Sequence, residues 1–260
     1  MWDPDQYRHF GDERSRPFFD LLARVAAMDP AVVADLGCGP GTLTAELARR
    51  WPAAEVRGVD SSPQMIEAAQ ALPAASGGRL SFALGDVRDW EPDGRVDVIV
   101  SNAVLQWVPG HLQVLARWAS FLNEGGWLAV QVPGNFDQPS HTVLREMACS
   151  PRWRSLLAGA PLNRSAASPA EFLDVLAGEG FEVDAWETTY LHVLRGENAV
   201  VDWYKGTALR PVLAALDSDQ AAEFLAEYRK RIASVYPAAP YGTPFPFRRV
   251  FAVGHRPSRA

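Results

Sequence analysis

The stretch Val32-Val33-Ala34-Asp35-Leu36-Gly37-Cys38-Gly39-Pro40-Gly41-Thr42-Leu43-Thr44 constrains the fold more than any other part of the chain. A short apolar run ends at an acid, three glycines alternate with other residues, and a helical pattern follows at once. Glycines let the backbone take positive φ and remove the Cβ atoms that would hold a ligand off it. A turn of this kind between a strand and a helix is where an α/β sheet binds a nucleotide-like ligand.

The neighbouring sequence repeats the same alternation. Apolar runs at 31–36, 55–59, 80–84, 96–101 and 127–132 read as strands. Helical patterns follow the first, second and fourth, at 42–51, from Ser62-Pro63 to about 72, and at 111–122. Strands this apolar are buried on both faces, which predicts an α/β fold with a doubly wound, mostly parallel sheet. Further on, 181–194 and 247–253 read as two more strands, completing seven. The helical segments 140–148, 169–178, 198–206 and 218–236 predict a helical cap over the carboxyl edge of the sheet. Pro17 is expected to open an N-terminal helix carrying Phe18, Leu21, Leu22 and Val25. The expected organisation is therefore an arm and helix over residues 1–29, a Rossmann-like core over 30–135, and cap helices with the last two strands over 136–260.

Composition excludes several classes. A formal charge of −6 argues against a nucleic-acid partner, which needs a basic face. Cys38 and Cys149 are too far apart and too few for a disulfide framework or a zinc site, so no metal is expected. The N-terminus lacks the basic and apolar regions of a secretion signal, and no apolar run approaches a membrane span. A cytoplasmic protein without a membrane partner is expected.

Ligands of such a sheet lie beyond the carboxyl ends of its strands. Those ends carry Asp35, Asp60, Asp86 and Asn102. Asp60 follows the glycine turn at about the ~20-residue distance of a ribose-binding acid. Asp86 is placed to accept from an exocyclic amine such as that of adenine. A dinucleotide turn reads Gly-x-Gly-x-x-Gly, whereas this one reads Gly37-x-Gly39-x-Gly41, which disfavours a nicotinamide-dependent oxidoreductase. Asp35 beside the turn would repel a diphosphate and suit a cation. An adenosine bearing a sulfonium and an ammonium is S-adenosylmethionine.

Asp35 through Gly41 resembles the first motif of the class I S-adenosylmethionine-dependent methyltransferases. Val59-Asp60-Ser61-Ser62 with Met65 is similar to the second, and Gly85-Asp86-Val87 and Asp97 through Ala103 to the third and fourth. The resemblance implies a cofactor site of Asp35, Gly37, Gly39, Asp60, Ser61, Met65, Asp86, Val87 and Asn102. A narrower resemblance, to the trans-aconitate 2-methyltransferases, runs over nearly the whole chain. It is carried by Trp2-Asp3-Pro4 with Tyr7, Glu13-Arg14-Ser15-Arg16-Pro17, Leu105-Gln106-Trp107, Gln131 through Asn135, Asp202-Trp203 and Leu209-Arg210-Pro211. The departures fall mainly at 148–167 and 236–248.

This resemblance implies methyl transfer to a carboxylate of trans-aconitate or a close tricarboxylate, giving a monomethyl ester and S-adenosylhomocysteine. A carboxylate is already ionised at neutral pH, so no side chain is expected to act as acid or base. Arginines and polar donors are needed to hold the acceptor. Tyr7, His9, Arg14, Arg16, Gln106, Trp107, Arg145, Trp203 and Arg210 are the candidates, with Gln106 and Trp107 near the methyl. An O- or N-methyltransferase for another small molecule, or a cofactor-binding module without transfer, remain alternatives. The expected unit is a monomer acting on a small molecule.

Overall fold

The apolar runs that begin beside or just after turns become the strands of one seven-stranded sheet. The structure is a computed structural model that describes residues 11–73, 78–162 and 165–258, with side chains from residue 15 onward. In chain order it comprises α1 (Gly11–Leu22), β1 (Val32–Leu36), α2 (Thr42–Arg50), β2 (Glu55–Asp60), α3 (Pro63–Gln70), β3 (Leu80–Leu84) and β4 (Val96–Asn102). After these come α4 (His111–Ser120), β5 (Leu122–Pro133), α5 (Pro139–Cys149), α6 (Pro169–Gly178) and β6 (Glu182–Leu194). Last are α7 (Ala199–Lys205), α8 (Arg210–Ala215), α9 (Ser218–Val235) and β7 (Thr243–His255).

The strand order is β3-β2-β1-β4-β5-β7-β6. Strands β1 to β5 run parallel, and β7 is antiparallel to both β5 and β6. The chain steps outward from β1 to β3, then crosses back to β4 on the other side of β1. That reversal opens the crevice where such sheets take their ligands.

Helices cover both faces. On one face Phe18 and Leu21 of α1, Leu47 of α2 and Ile66 of α3 pack with Val33, Val98 and Phe251. On the other, Leu115 and Trp118 of α4 and Phe172 and Leu176 of α6 pack with Leu36, Ile99 and Val250. The cap has a core of its own, where Leu144, Trp203, Val212, Phe224 and Tyr228 surround Phe245 and Phe247 of β7. Each fully buried large apolar side chain contributes about 1.5–3 kcal/mol. Among the described residues no helix is long and apolar enough to cross a membrane, and no group of three or more His, Cys, Asp or Glu could hold a metal ion.

Three local expectations are corrected. The first helix begins at Gly11, so Pro17 lies inside it rather than at its start. Pro17 and Phe18 are both buried, and that packing offsets the hydrogen bond proline removes. Residues 123–126, left between the expected helix 111–122 and the expected strand 127–132, are taken into β5 as an irregularity, because Leu122 pairs with Val96 and Trp127 already pairs with Val98. Strand β7 begins four residues earlier than its apolar run, at Thr243. Pro244 and Pro246 read as breaks, but β5 pairs with β7 only as far as Arg249. Before that point β7 has β6 alone as a neighbour, and a strand with one free edge accommodates proline.

The cap is fastened to the sheet by a buried polar knot. The Tyr204 hydroxyl accepts from Asn135 Nδ2 at 2.7 Å and from Ser140 Oγ at 2.9 Å. The Tyr204→Phe variant would leave two buried donors unpaired, and is expected to cost about 1–3 kcal/mol. At about 2–4 °C per kcal/mol for a chain of this size, thermal melting would register the loss, and an unchanged midpoint would rule out the knot as a fastening.

Candidate active site

The glycine turn is pinned before any ligand arrives. Gly37 and Cys38 N–H groups both donate to Val59 O, at 2.7 and 3.0 Å. Asp60, at the end of β2, accepts from Gly39 N through Oδ2 and from Ser62 N through Oδ1, each at 2.9 Å. One carboxylate thus joins the turn after β1 to the start of α3. Gly37 has φ 83, and a Cβ there would stand 2.1 Å from Val104 Cγ2. Gly39 has φ 55, and a Cβ there would meet nothing within 4 Å. The first glycine makes room for the next turn, and the second leaves bare backbone open to the cavity, a cradle a side chain would fill.

That cavity has a volume of about 610 Å³ and runs along the carboxyl edge of the sheet into the cap. Asp35, Gly37, Gly39, Asp60, Ser61, Met65, Asp86, Val87 and Asn102 all line it. So do Gln106, Trp107, Arg145, Trp203 and Arg210. The structure does not bring Arg16 to the cavity. Its guanidinium lies 5.0 Å over the ring of Tyr190 and 3.9 Å from Asp20, because α1 turns that face toward β6. Tyr7 and His9 lie outside the described residues, as does the side chain of Arg14.

Asp35 is buried beneath the turn, where Oδ2 accepts from Thr44 Oγ1 at 2.6 Å. Burial raises its carboxyl to about 6, opposed by the Thr44 hydroxyl and reinforced by the charge of Asp60. An acid whose folded value exceeds its unfolded one stabilises the fold below the unfolded value, and that stability is lost as pH rises through about 6. At neutral pH the chain therefore holds a buried carboxylate that a cation would relieve. Asp86 is gripped by Arg88, with Nε at 3.0 and 3.1 Å from its two oxygens and Nη2 at 2.6 Å. The guanidinium holds the carboxyl below the usual range. An exocyclic amine would share this carboxylate with Arg88.

The other end of the cavity is cationic. Arg249, on β7, is 5% exposed, lies 4.5 Å over the ring of Phe247, and donates to Gln131 Oε1 at 3.4 Å. Arg145 on α5 donates to Phe136 O at 2.7 Å, and Arg210 opens α8. Near Arg249, His192 is buried, and burial followed by the charges of Arg249 and Arg16 pushes its imidazole down to about 4, leaving it neutral at pH 7. Sequence reading missed Arg249, along with Asn135, Tyr204 and Phe247, all of which line the cavity. Arg249 lies inside the strand expected over 247–253, and its alternation with Phe247 and Phe251 was the available signal.

Strand order converts these facts into a gradient. Asp86 follows β3, Asp60 ends β2, Asp35 lies on β1, Asn102 ends β4 and Arg249 lies on β7. Read across the sheet edge, three acids give way to a neutral amide and then to a buried cation.

The chain is similar to known proteins over nearly its whole length. Residues 33–126 match a family model described as a methyltransferase domain. Trans-aconitate 2-methyltransferase of Streptomyces avermitilis is 54% identical over 260 residues, covering 98% of this chain and 97% of the relative. The enzyme of that name from Rhodococcus jostii is 50% identical, covering 97% of this chain and 98% of the relative. Among solved structures, a putative methyltransferase from Bacillus halodurans superposes with a TM-score of 0.60 at 15% identity, over 94% of this chain and all of the other.

Proposed function

This chain belongs to the trans-aconitate 2-methyltransferase family, and on that premise we propose that it transfers a methyl group from S-adenosylmethionine to a carboxylate of trans-aconitate. The products are the monomethyl ester and S-adenosylhomocysteine. The observation that carries this reading is the charge gradient across the sheet edge, anionic at Asp35 and Asp60 of β1 and β2, balanced at Asp86 by Arg88, and cationic at β7 and the cap.

The acid end fits the cofactor. Asp60 would hold the ribose hydroxyls, the bare backbone at Gly37 and Gly39 would lie along the amino-acid portion, and Asp35 would face a cation. Ser61, Met65, Val87 and Asn102 would complete the wall, with Asp86 toward the base. When bound, S-adenosylmethionine supplies an electrophilic methyl carbon on a sulfur that leaves with the bonding pair.

The cationic end fits a tricarboxylate. Arg145, Arg210 and Arg249 would hold two carboxylates and leave the third to attack, since a carboxylate clamped by a guanidinium is a poorer nucleophile. One carboxylate oxygen forms the new bond to the methyl carbon, and no proton moves. The residues therefore serve by alignment and by excluding water, to which Phe136, Leu144, Trp203 and Phe247 contribute apolar wall. The reading is action as a monomer on a free small molecule, and the net acidity supports neither a nucleic-acid partner nor an anionic surface. We place that activity in the cytoplasm.

Incubation with methyl-labelled S-adenosylmethionine and trans-aconitate, citrate or isocitrate tests the reading. Label released by mild base from the trans-aconitate product is expected, and base-stable label would exclude a carboxyl ester. Asp35 adds a pH dependence. Cofactor affinity measured by calorimetry should rise toward about tenfold per pH unit below about 6 and level off above about 7, since the anion is the form that meets the cation. Affinity that is flat from about pH 5 to 8 would remove Asp35 from the site.

A further inference from the structure

The acid end of the cavity also carries a cation. Asp86 and Arg88 both line it from the turn after β3, with 35% and 54% of their side chains open. That turn is held from behind. Asp86 O accepts from Asp89 N at 3.1 Å, Val87 O from Trp118 Nε1 at 3.0 Å, and Arg88 O and Asp89 O from Arg117 of α4. A backbone fixed at consecutive carbonyls presents the two side chains in a set relation.

The carboxylate is nearly filled from within the chain. Arg88 N donates to Oδ1 at 2.8 Å, Nε is shared between Oδ1 and Oδ2 at 3.0 and 3.1 Å, and Nη2 donates to Oδ2 at 2.6 Å. A carboxylate has about four lone-pair sites, so these bonds leave little room for another donor. The fork spends only part of the guanidinium's N–H set. The open face of the pair therefore offers a remaining acceptor position beside unspent donors.

The edge of a purine presents two groups side by side. Adenine offers an amine and a bare ring nitrogen, a donor next to an acceptor. Hypoxanthine offers a carbonyl oxygen and a ring N–H, an acceptor next to a donor. A lone carboxylate suits the first and repels the oxygen of the second. An acid joined to an arginine suits either, with Asp86 on the donor and Arg88 on the acceptor. Resting on the cofactor reading above, we propose that Arg88 widens the base specificity of this site, so that it takes 6-oxopurine counterparts of the cofactor as well as adenine ones.

Calorimetry with S-adenosylhomocysteine and S-inosylhomocysteine, which differ only at that edge of the base, tests this. The unaltered chain is expected to bind the two within about tenfold of each other. In Arg88→Met the Kd for S-inosylhomocysteine should rise by about 10–100-fold, the range for losing a hydrogen bond from a charged group. The Kd for S-adenosylhomocysteine should stay within about threefold, which also reports that the variant is folded. Arg88→Lys keeps the charge without the fork and should fall between. A stronger preference for S-adenosylhomocysteine in the unaltered chain would overturn the proposal. So would an affinity ratio in Arg88→Met equal to that of the unaltered chain. Failure of the unaltered chain to bind either ligand would instead overturn the cofactor reading itself.

Discussion

Arg249→Met is expected to lower kcat/KM for trans-aconitate by about 10²–10³-fold while the Kd for S-adenosylmethionine stays within about threefold, which is the loss seen when a buried charge contact of about 3–4 kcal/mol is removed. The reason lies in where Arg249 sits. Its guanidinium is buried on the inner face of β7, backed by the ring of Phe247 and by Gln131. Such a cation is costly for the fold to bury, and an anionic acceptor offsets that cost. Methionine fills similar volume without charge, so the melting temperature should hold or rise as activity falls. That opposition separates a binding role from a structural one. Arg249→Lys keeps the charge but loses the planar fork, and an intermediate loss of about tenfold is expected. An Arg249→Met variant with unchanged kcat/KM, or one that loses both ligands equally, would remove Arg249 from the acceptor site.

Asp60→Ala should act at the opposite end. It deletes the acceptor for Gly39 N and Ser62 N, and with it the carboxylate offered to the ribose. Hydrogen bonds to a charged group contribute about 1.5–3 kcal/mol each, so the Kd for S-adenosylmethionine should rise by at least about 10²-fold. At saturating cofactor the KM for trans-aconitate should change little. Asp60→Asn retains one acceptor oxygen and should fall between. Equilibrium dialysis with the labelled cofactor is sufficient, and an unaltered Kd in Asp60→Ala would refute the ribose assignment.

The cofactor half of the site was legible because it is local. Asp35, Gly37, Gly39 and Asp60 lie within 26 residues of one another, each at a strand end whose position the apolar pattern marks. The acceptor half was legible only in part, because it is assembled from distant elements. Arg145 and Arg210 stand in helical or proline-marked segments that draw attention, and both reach the cavity. Arg16 stands in an equally suggestive run yet turns to Tyr190 and Asp20, since which face of α1 meets the sheet depends on partners 170 residues away. Arg249 was passed over for the opposite reason, since it stood in an expected strand, 247–253, but in no motif, and nothing local says which face of that strand meets the cavity. Pro244 and Pro246 obscured only the first four residues of β7, where pairing to a single neighbour makes them harmless. The helix over Arg210–Ala215 was also unmarked, being too short for periodicity to declare itself.

Strand β7 has a consequence for how the molecule comes apart. Phe245 and Phe247 lie in the cap core, Val250 and Ala252 in the core on one face of the sheet, and Phe251 and Val253 in the core on the other. One unbroken strand is thus a shared member of every apolar cluster in the molecule's described part. The cap cannot melt away while the sheet persists without tearing that strand in two, so the pocket that discriminates among acids inherits the cooperativity of the whole chain. The acceptor end is not a detachable accessory; it rises and falls with the sheet that carries the cofactor.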